Sequence, residues 1–156
     1  EKILKPLSID SDRFVGVSCD APDPILECRR VAELMRKSLL DLSILGVGVN
    51  GHLGLNEPSE FFSFETHYVE LAATSMEHQM LSKASASADH GLTSGIGEIM
   101  TAQRILFLVS GWKKQEAFSR FMERMVTPQF PASILWFHHN VTCICDQEAA
   151  VLWMRG

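Results

Sequence analysis

The sequence predicts an α/β fold: a three-layer, mostly parallel, Rossmann-like sheet with helices on both faces. Short apolar segments of strand composition alternate along the chain with segments whose apolar residues recur every three or four positions. This alternation is typical of strands joined by right-handed helical crossovers, which cover both faces of a parallel sheet. A length of 156 residues with 46% hydrophobic residues suits one domain with a substantial core. We therefore predict a single α/β domain over residues 1–156.

The first part of the chain predicts a strand, a helix and a second strand. Residues 13–18 have strand composition, and Asp23 followed by Pro24 is typical of a helix start with the aspartate as its cap. The helix should bury one apolar stripe, which consists of Ile25, Cys28, Ala32, Met35 and Leu39. The second strand is predicted at residues 41–47, where a continuous apolar run indicates burial on both faces.

The rest of the chain continues the alternation. The predicted strands are residues 66–71, 104–110 and 141–145. The predicted helical segments are residues 75–83, 95–102 and 112–125, and residues 84–90 are predicted to be a polar linker.

Composition excludes some classes of partner. The net charge of −5 and the pI near 5.6 argue against nucleic acid or a membrane as the main partner, because either would favour a basic face. The four cysteines contain no Cys-x-x-Cys pair, which indicates reduced, buried thiols. No signal peptide opens the chain, and no apolar stretch approaches the roughly 20 residues of a membrane-spanning helix. We expect a cytoplasmic protein that binds a small molecule.

The beginning of the chain is unusual. Residues 1–7 look like the end of an amphipathic helix, and there is no initiator methionine. We expect that the chain is truncated at its N-terminus. A sheet that lacks strands would expose apolar surface, so that residues 1–156 alone should aggregate or be held by a partner.

The most informative segment is residues 44–59, in which an apolar strand runs into a glycine-rich turn. The turn carries the polar residues Asn50, His52, Asn56 and Glu57. Its glycines let the backbone turn sharply and approach a ligand closely, and include Gly48 and Gly51. The turn follows the carboxyl end of a predicted strand, which is where open α/β sheets bind ligands.

A second junction between a strand and a helix lies at residues 110–114. The backbone N–H groups and the helix dipole at such a junction favour an anion, and Lys113 or Lys114 could add a positive charge. Because parallel strands end at the same edge of a sheet, both junctions should lie at that edge. The combination predicts a phosphorylated substrate.

Residues 46–58, with the sequence GVGVNGHLGLNEP, resemble the active-site signature of the glucosamine-6-phosphate deaminase/isomerase family, part of a superfamily shared with 6-phosphogluconolactonase. The similarity continues in order through residues 92–102, 105–111 with Lys114, 131–138 and 143–146. The sequences of residues 50–58 and of residues 131–136 (PASILW) look most like those of the galactosamine-6-phosphate isomerase or deaminase branch. The similarity covers nearly the whole chain and is weakest at residues 60–90.

The resemblance implies an enzyme that opens the ring of a 2-amino-2-deoxyhexose 6-phosphate, moves a proton between C2 and C1, and releases ammonia to leave a ketose phosphate. His52 would exchange the proton with the ring oxygen, since an imidazole can do so at neutral pH. Glu57 would orient His52, and Asn50 completes the predicted catalytic set. The predicted substrate-binding residues are Gly48, Gly51, Asn56, Lys114 and His78, with Lys114 matching the family's phosphate lysine.

The chain departs from the family's pattern in three places. Typical glucosamine-6-phosphate enzymes carry an aspartate where this chain has Asn50, so that a charged neighbour of the histidine becomes neutral. The family's phosphate arginine is absent from residues 76–80, where His78 or Gln79 would have to replace it. The family's C2 base is an aspartate from its N-terminal portion, which also holds a second phosphate loop, and this chain starts after both.

Two other functions stay open. One is a 6-phosphogluconolactonase-like hydrolase, against which Asn50 and Glu57 count. The other is a catalytically silent sugar-phosphate-binding module, suggested by Asn50 and by the missing arginine. We predict no metal, because the histidines have no ligand spacing, and no cofactor. The choice between galactosamine and glucosamine phosphate, and between a monomer and a homo-oligomer, is not decided by the sequence.

Overall fold

The computed structural model describes residues 4–18, 20–70 and 90–155. The strands are β1 (Ser43–Gly46), β2 (His67–Glu70), β3 (His90–Thr93), β4 (Ile105–Val109) and β5 (Val141–Cys145). The α-helices are α1 (Pro24–Lys37), α2 (Ile96–Met100), α3 (Gln115–Met122) and α4 (Gln147–Arg155). Short 3-10 helices lie at Ser11–Arg13, Trp112–Lys114 and Pro131–Phe137.

The central sheet has three parallel strands in the order β1-β4-β5. Gly46 at the end of β1 lies opposite Leu108 of β4, and Val109 of β4 lies opposite Cys145 of β5. The three strands therefore end at one edge, and the segments that follow them are neighbours. Strands β2 and β3 form a separate antiparallel pair. The parallel sheet and its helices confirm the predicted α/β fold class.

The core lies on one face of this sheet. Ile105, Phe107 and Val109 of β4 are at most 2% exposed, because alternate residues of a strand point to the same face. Helix α3 packs Phe118 and Phe121 into the same cluster, with the Phe107 and Phe121 rings 4.8 Å apart between centroids. The core thus packs against one face of β4 up to its carboxyl end and connects this strand to α3.

Helix α1 begins as predicted, with Asp23 as its cap. The predicted apolar stripe is only partly right. Its residues divide into buried (Cys28, Ala32), half-buried (Met35) and exposed (Ile25, Leu39). The main contacts of α1 are with β2, β3 and α2 rather than with the three-stranded sheet, so that the buried face is narrower than the pattern indicates.

The prediction of a strand at residues 13–18 is wrong. These residues pair with no strand in the part of the chain that the structure describes, and Phe14, Val15 and Val17 are exposed. Strand composition alone does not form a strand, because the backbone also needs a partner strand for its hydrogen bonds.

The prediction that β1 is covered on both faces is also wrong. Ile44 is 60% exposed. By the register of the sheet, Ile44, Leu108 and Ile144 lie on one face, and all three are exposed. This agrees with the expectation that residues 1–156 leave apolar sheet surface uncovered.

Other boundaries differ less. Strand β5 matches its prediction, β2 and β4 are slightly shorter, and β3 was not predicted. The helix expected at 112–125 starts as a 3-10 turn and ends at Met122. The predicted helix at 75–83 and most of the predicted linker lie outside the described residues. No helix in the described part of the chain is long and apolar enough to cross a membrane.

The cysteines are only partly as predicted. Cys28, Cys143 and Cys145 are free thiols, as expected for a reduced protein, and Cys28 is buried. Cys143 and Cys145 are exposed, which corrects the prediction that they are buried. They lie on β5, at the edge of the described sheet, where the strand has a neighbour on one side only.

Candidate active site

The glycine-rich turn leaves the carboxyl end of β1 and folds back on itself. Val47 forms an antiparallel bridge to Leu53, and the Gly48 N–H donates to the His52 carbonyl at 2.9 Å. Leu53 is completely buried and anchors the far side of the turn in the core. This local pairing fixes the backbone from which the His52 side chain projects.

Two glycines make the turn compact enough for its side chains. A Cβ at Gly48 would overlap the His52 ring, so that only glycine lets the ring lie against the backbone here. Gly51 has φ +90°, and a Cβ at Gly51 would overlap the Phe130 ring. The close approaches that these two glycines permit are thus to protein side chains, and a substrate contact at either glycine stays a prediction.

His52, Glu57 and Asn50 are brought together as predicted. Glu57 Oε2 lies 3.5 Å from His52 Nδ1, and the Asn50 Nδ2 donates to the same Oε2 at 2.8 Å. The His52 backbone N–H donates to Asn50 Oδ1 at 3.1 Å. The side chains of His52 and Glu57 are only 19% and 11% exposed, so that water screens their interaction incompletely.

This arrangement suits proton transfer. A carboxylate beside Nδ1 favours the proton on that nitrogen and leaves Nε2 to exchange a proton with a ligand. Asn50 joins the two other residues: its amide oxygen holds the backbone of His52 while its NH₂ group holds the carboxylate of Glu57. Asn50 and Glu57 therefore position the imidazole and limit the directions in which it can turn.

Asn56 has a different environment from the other polar residues of the turn. It is 4% exposed, and its NH₂ group donates to the carbonyls of Leu53 at 2.8 Å and Ser94 at 2.9 Å. Its Oδ1 is buried and has no hydrogen-bond partner among the described residues. The bond to Leu53 closes the turn on itself, and the bond to Ser94 ties the turn to the segment before α2. A substrate contact at Asn56 stays a prediction.

The second junction follows β4 at the same edge of the sheet. Gly111 has φ 86°, and its carbonyl accepts a hydrogen bond from the Lys114 N–H at 3.0 Å. Lys114 is half-buried, and burial lowers the pKa of its ammonium group. Lys113 is exposed, with its Nζ 5.7 Å from the centre of the Trp112 ring. Of the two candidate lysines, Lys114 is therefore the more buried.

Asp146, which sequence reasoning did not select, connects this junction to the end of β5. One carboxylate oxygen accepts from the Gly111 N–H at 2.8 Å, and the other accepts from the Ala149 N–H at 2.8 Å. The signal available in the sequence was its position, directly after a predicted strand at residues 141–145, where ligand-site residues of parallel sheets collect.

A cavity of about 390 Å³ lies beside the turn, between the segment after Asn56 and strand β2. Its lining includes Asn56 and Glu57, but neither His52 nor Lys114. Residues 61–63 and 67–70 form much of the remaining wall. The cavity is therefore not a space in which one ligand would touch both His52 and Lys114.

The last of the predicted site residues, His78, lies outside the described residues. Among those that the structure describes, no group of three or more His, Cys, Asp and Glu side chains could hold a metal ion. The predicted catalytic residues that the structure brings into contact are His52, Glu57 and Asn50.

Known proteins are similar to this chain in sequence and in fold. Residues 1–144 match the family described as glucosamine-6-phosphate isomerases/6-phosphogluconolactonase. A protein of Escherichia coli (strain K12) named as the deaminase AgaI is 39% identical over 147 residues, which are 94% of this chain and 58% of that protein. The glucosamine-6-phosphate deaminase of Thermoanaerobacter sp. (strain X514) is 40% identical, over 81% of this chain and 51% of that enzyme.

The fold comparison agrees with the sequence comparison. A solved structure of a monomeric glucosamine-6-phosphate deaminase superposes with a TM-score of 0.85 at 36% identity, over 92% of this chain and 61% of that one. The chain spans 51–61% of the length of these three relatives. The family match over most of the chain and the high structural similarity lead to one conclusion: the chain belongs to the glucosamine-6-phosphate isomerase/6-phosphogluconolactonase family.

Proposed function

We propose that the protein carrying this chain is an amino-sugar-6-phosphate isomerase/deaminase. It converts a 2-amino-2-deoxyhexose 6-phosphate and water into a ketose 6-phosphate and ammonia, with the oxygen of water becoming the C2 carbonyl oxygen. The observation that carries the proposal is the cluster of His52, Glu57 and Asn50 at the end of β1. The deaminase names of the relatives support the same reaction.

His52 opens the sugar ring in this proposal. The anomeric hydroxyl loses a proton, the ring oxygen gains one, and the bond between C1 and the ring oxygen breaks. One imidazole can make both transfers in turn through Nε2. Glu57, 3.5 Å from Nδ1, stabilises the positive charge while the ring holds the extra proton. The later proton transfer from C2 to C1 needs a second base, which the family resemblance assigns to a segment outside these 156 residues.

Lys114 binds the phosphate of the substrate. It follows β4, the strand next to β1, so that it lies at the same edge of the sheet as His52. Its half-buried position supports this role over the exposed Lys113. A Lys114→Ala variant should raise the KM for the sugar phosphate much more than Lys113→Ala does.

Galactosamine 6-phosphate is the favoured substrate, with glucosamine 6-phosphate as the alternative. This preference is supported by the amino-acid sequences of residues 50–58 and 131–136, which resemble those of the galactosamine branch. Both sugars have the same amino group and phosphate, and they differ at the C4 hydroxyl.

The test is production of ammonia and ketose phosphate from each sugar phosphate by the protein in its full natural length. His52→Ala should abolish turnover, whereas the matched control His139→Ala, at an exposed histidine distant in sequence from the turn, should leave it unchanged. Turnover that survives in His52→Ala would falsify the assignment of His52. Hydrolysis of 6-phosphogluconolactone without ammonia release would favour the hydrolase. Saturable binding of both sugars without any product would favour a silent binding module.

A further inference from the structure

Asp146 links two loops at the carboxyl edge of the sheet. Its Oδ2 accepts from the Gly111 N–H at 2.8 Å, and its Oδ1 accepts from the Ala149 N–H at 2.8 Å. Its own N–H donates to the Val109 carbonyl at 3.2 Å, which continues the pairing of β5 with β4. One side chain thus caps α4 and at the same time holds the first peptide group of the turn after β4.

The turn that Asp146 holds is the one that presents Lys114. Gly111 has φ 86° and ψ 153°, and a Cβ placed on Gly111 would meet no atom within 4 Å. The glycine is therefore required for its backbone conformation and not for lack of space. The Gly111 carbonyl accepts from the Lys114 N–H, so that the orientation of Gly111 determines where the 3-10 turn carries Lys114.

We propose that Asp146 is a positioning residue for phosphate binding: by fixing Gly111, it preorganises the turn at residues 110–114 so that Lys114 is in place before the phosphate arrives. The inference rests on the proposed function, in which Lys114 binds the substrate phosphate. Preorganisation strengthens binding because the free protein has already lost the freedom that the complex requires.

The direction in which phosphate affinity changes when Asp146 is replaced distinguishes a positioning role from a purely electrostatic one. A carboxylate near an anion site repels the anion, so that removing the charge of Asp146 would by itself strengthen phosphate binding. Loss of preorganisation weakens phosphate binding. The two effects have opposite directions, and the measured direction decides between them.

The experiment uses two variants of the protein in its full natural length. Asp146→Asn is nearly isosteric and removes the charge. Asp146→Ser keeps one oxygen that can cap α4 through Ala149, but it is too short to reach Gly111 as well. Asp41→Asn is the matched control, because Asp41 precedes β1 and so lies at the opposite edge of the sheet. Lys114→Ala reports on the phosphate site itself.

The readouts are the dissociation constant for inorganic phosphate by calorimetry, and kcat and KM for the sugar phosphate. Both Asp146 variants should weaken phosphate binding and raise KM about tenfold, because a charge-assisted hydrogen bond is worth about that factor, with kcat changed less than about twofold. Asp41→Asn should change neither constant.

Other outcomes overturn the inference in distinguishable ways. If Lys114→Ala weakens phosphate binding but the Asp146 variants bind phosphate as well as or better than the unmodified protein, the positioning role is wrong and the phosphate site stands. If the apparent kcat falls while KM and the dissociation constant for phosphate stay unchanged, Asp146 only maintains the fold, because a smaller folded fraction lowers the apparent kcat alone. If the unmodified protein does not bind phosphate and Lys114→Ala changes nothing, the proposed phosphate site and the inference both fail.

Discussion

Replacing Gly48 by alanine should lower activity about a hundredfold while leaving most of the stability intact. The added Cβ would overlap Cγ, Nδ1 and Cε1 of the His52 ring, whereas ordinary contacts begin at 3.4 Å. The overlapped atoms belong to a side chain that is 19% exposed and can turn away toward solvent. The backbone bond from the Gly48 N–H to the His52 carbonyl survives the substitution.

The magnitude follows from how far the ring must move. Relief of the overlap takes the ring on the order of 1 Å from its position, and a misplacement of that size costs about a hundredfold in rate. The distance of 3.5 Å between His52 Nδ1 and Glu57 Oε2 is already long, so that the same movement separates the pair. The free energy of unfolding should fall by only about 1 kcal/mol, because a rotated side chain absorbs the clash.

Gly46→Ala is the matched control for this prediction. The Cβ that it adds would lie 3.8 Å from the Leu108 carbonyl oxygen, which is an ordinary contact. Ammonia release and urea denaturation should be measured for both variants. The reasoning about the His52 ring is refuted if Gly48→Ala turns over sugar phosphate within about twofold of Gly46→Ala, or if it loses activity only because it unfolds.

Three further predictions concern stability and reactivity. Asp23 accepts hydrogen bonds from the N–H groups of Ile25 and Leu26. Asp23→Ala should therefore lower the free energy of unfolding by about 1 kcal/mol in urea denaturation, and an unchanged free energy would contradict the role of Asp23 as a cap. The pKa of Glu27 is lowered from 4.5 to about 2, first by its hydrogen bond with Arg30 and then by that from the Ser18 N–H. Because the pKa of Glu27 is depressed in the folded protein, its contribution to stability is present above pH 4.5 and is lost as the pH falls to about 2. The difference in the free energy of unfolding between the unmodified protein and Glu27→Gln should therefore narrow over that range. A difference that stays constant with pH would contradict the lowered pKa. Cys143 is exposed as a residue, but partial burial of its thiol, followed by the neighbouring Cys145, raises the pKa of that thiol to about 11. At pH 8, iodoacetamide should therefore alkylate Cys143 about a hundredfold more slowly than an ordinary cysteine, as followed by mass spectrometry, and a rate equal to that of free cysteine would refute this environment.

Local patterns in the sequence were sufficient for β1, β2, β4 and β5, for the cap of α1 and for the turn, although they missed β3 and predicted a strand at residues 13–18 that does not form. The strand at 141–145 forms where its apolar run predicts it, and Asp23 caps α1 as the Asp-Pro pair indicates. His52, Glu57 and Asn50 meet as expected, because the glycines between β1 and Glu57 let the backbone fold back within a few residues. The cap and the turn depend on interactions among residues close together in the chain, whereas β5 also needs β4 as its partner strand.

Features that depend on packing between distant segments were decided only by the tertiary structure. The connection from Asp146 to Gly111 requires β4 and β5 to lie side by side. The exposure of Ile44 follows from which segments cover the sheet, since burial belongs to a residue's surroundings and not to its type. The sequence by itself thus determined the α/β class and the residues of the turn, because these depend on local pattern. The resemblance of residues 46–58 to a known signature indicated the family. The tertiary structure decided that Lys114 is half-buried while Lys113 is exposed, and that Asp146 accepts a hydrogen bond from Gly111. That hydrogen bond joins two loops 35 residues apart in the chain, which meet at one edge of the sheet only once the parallel strands have paired.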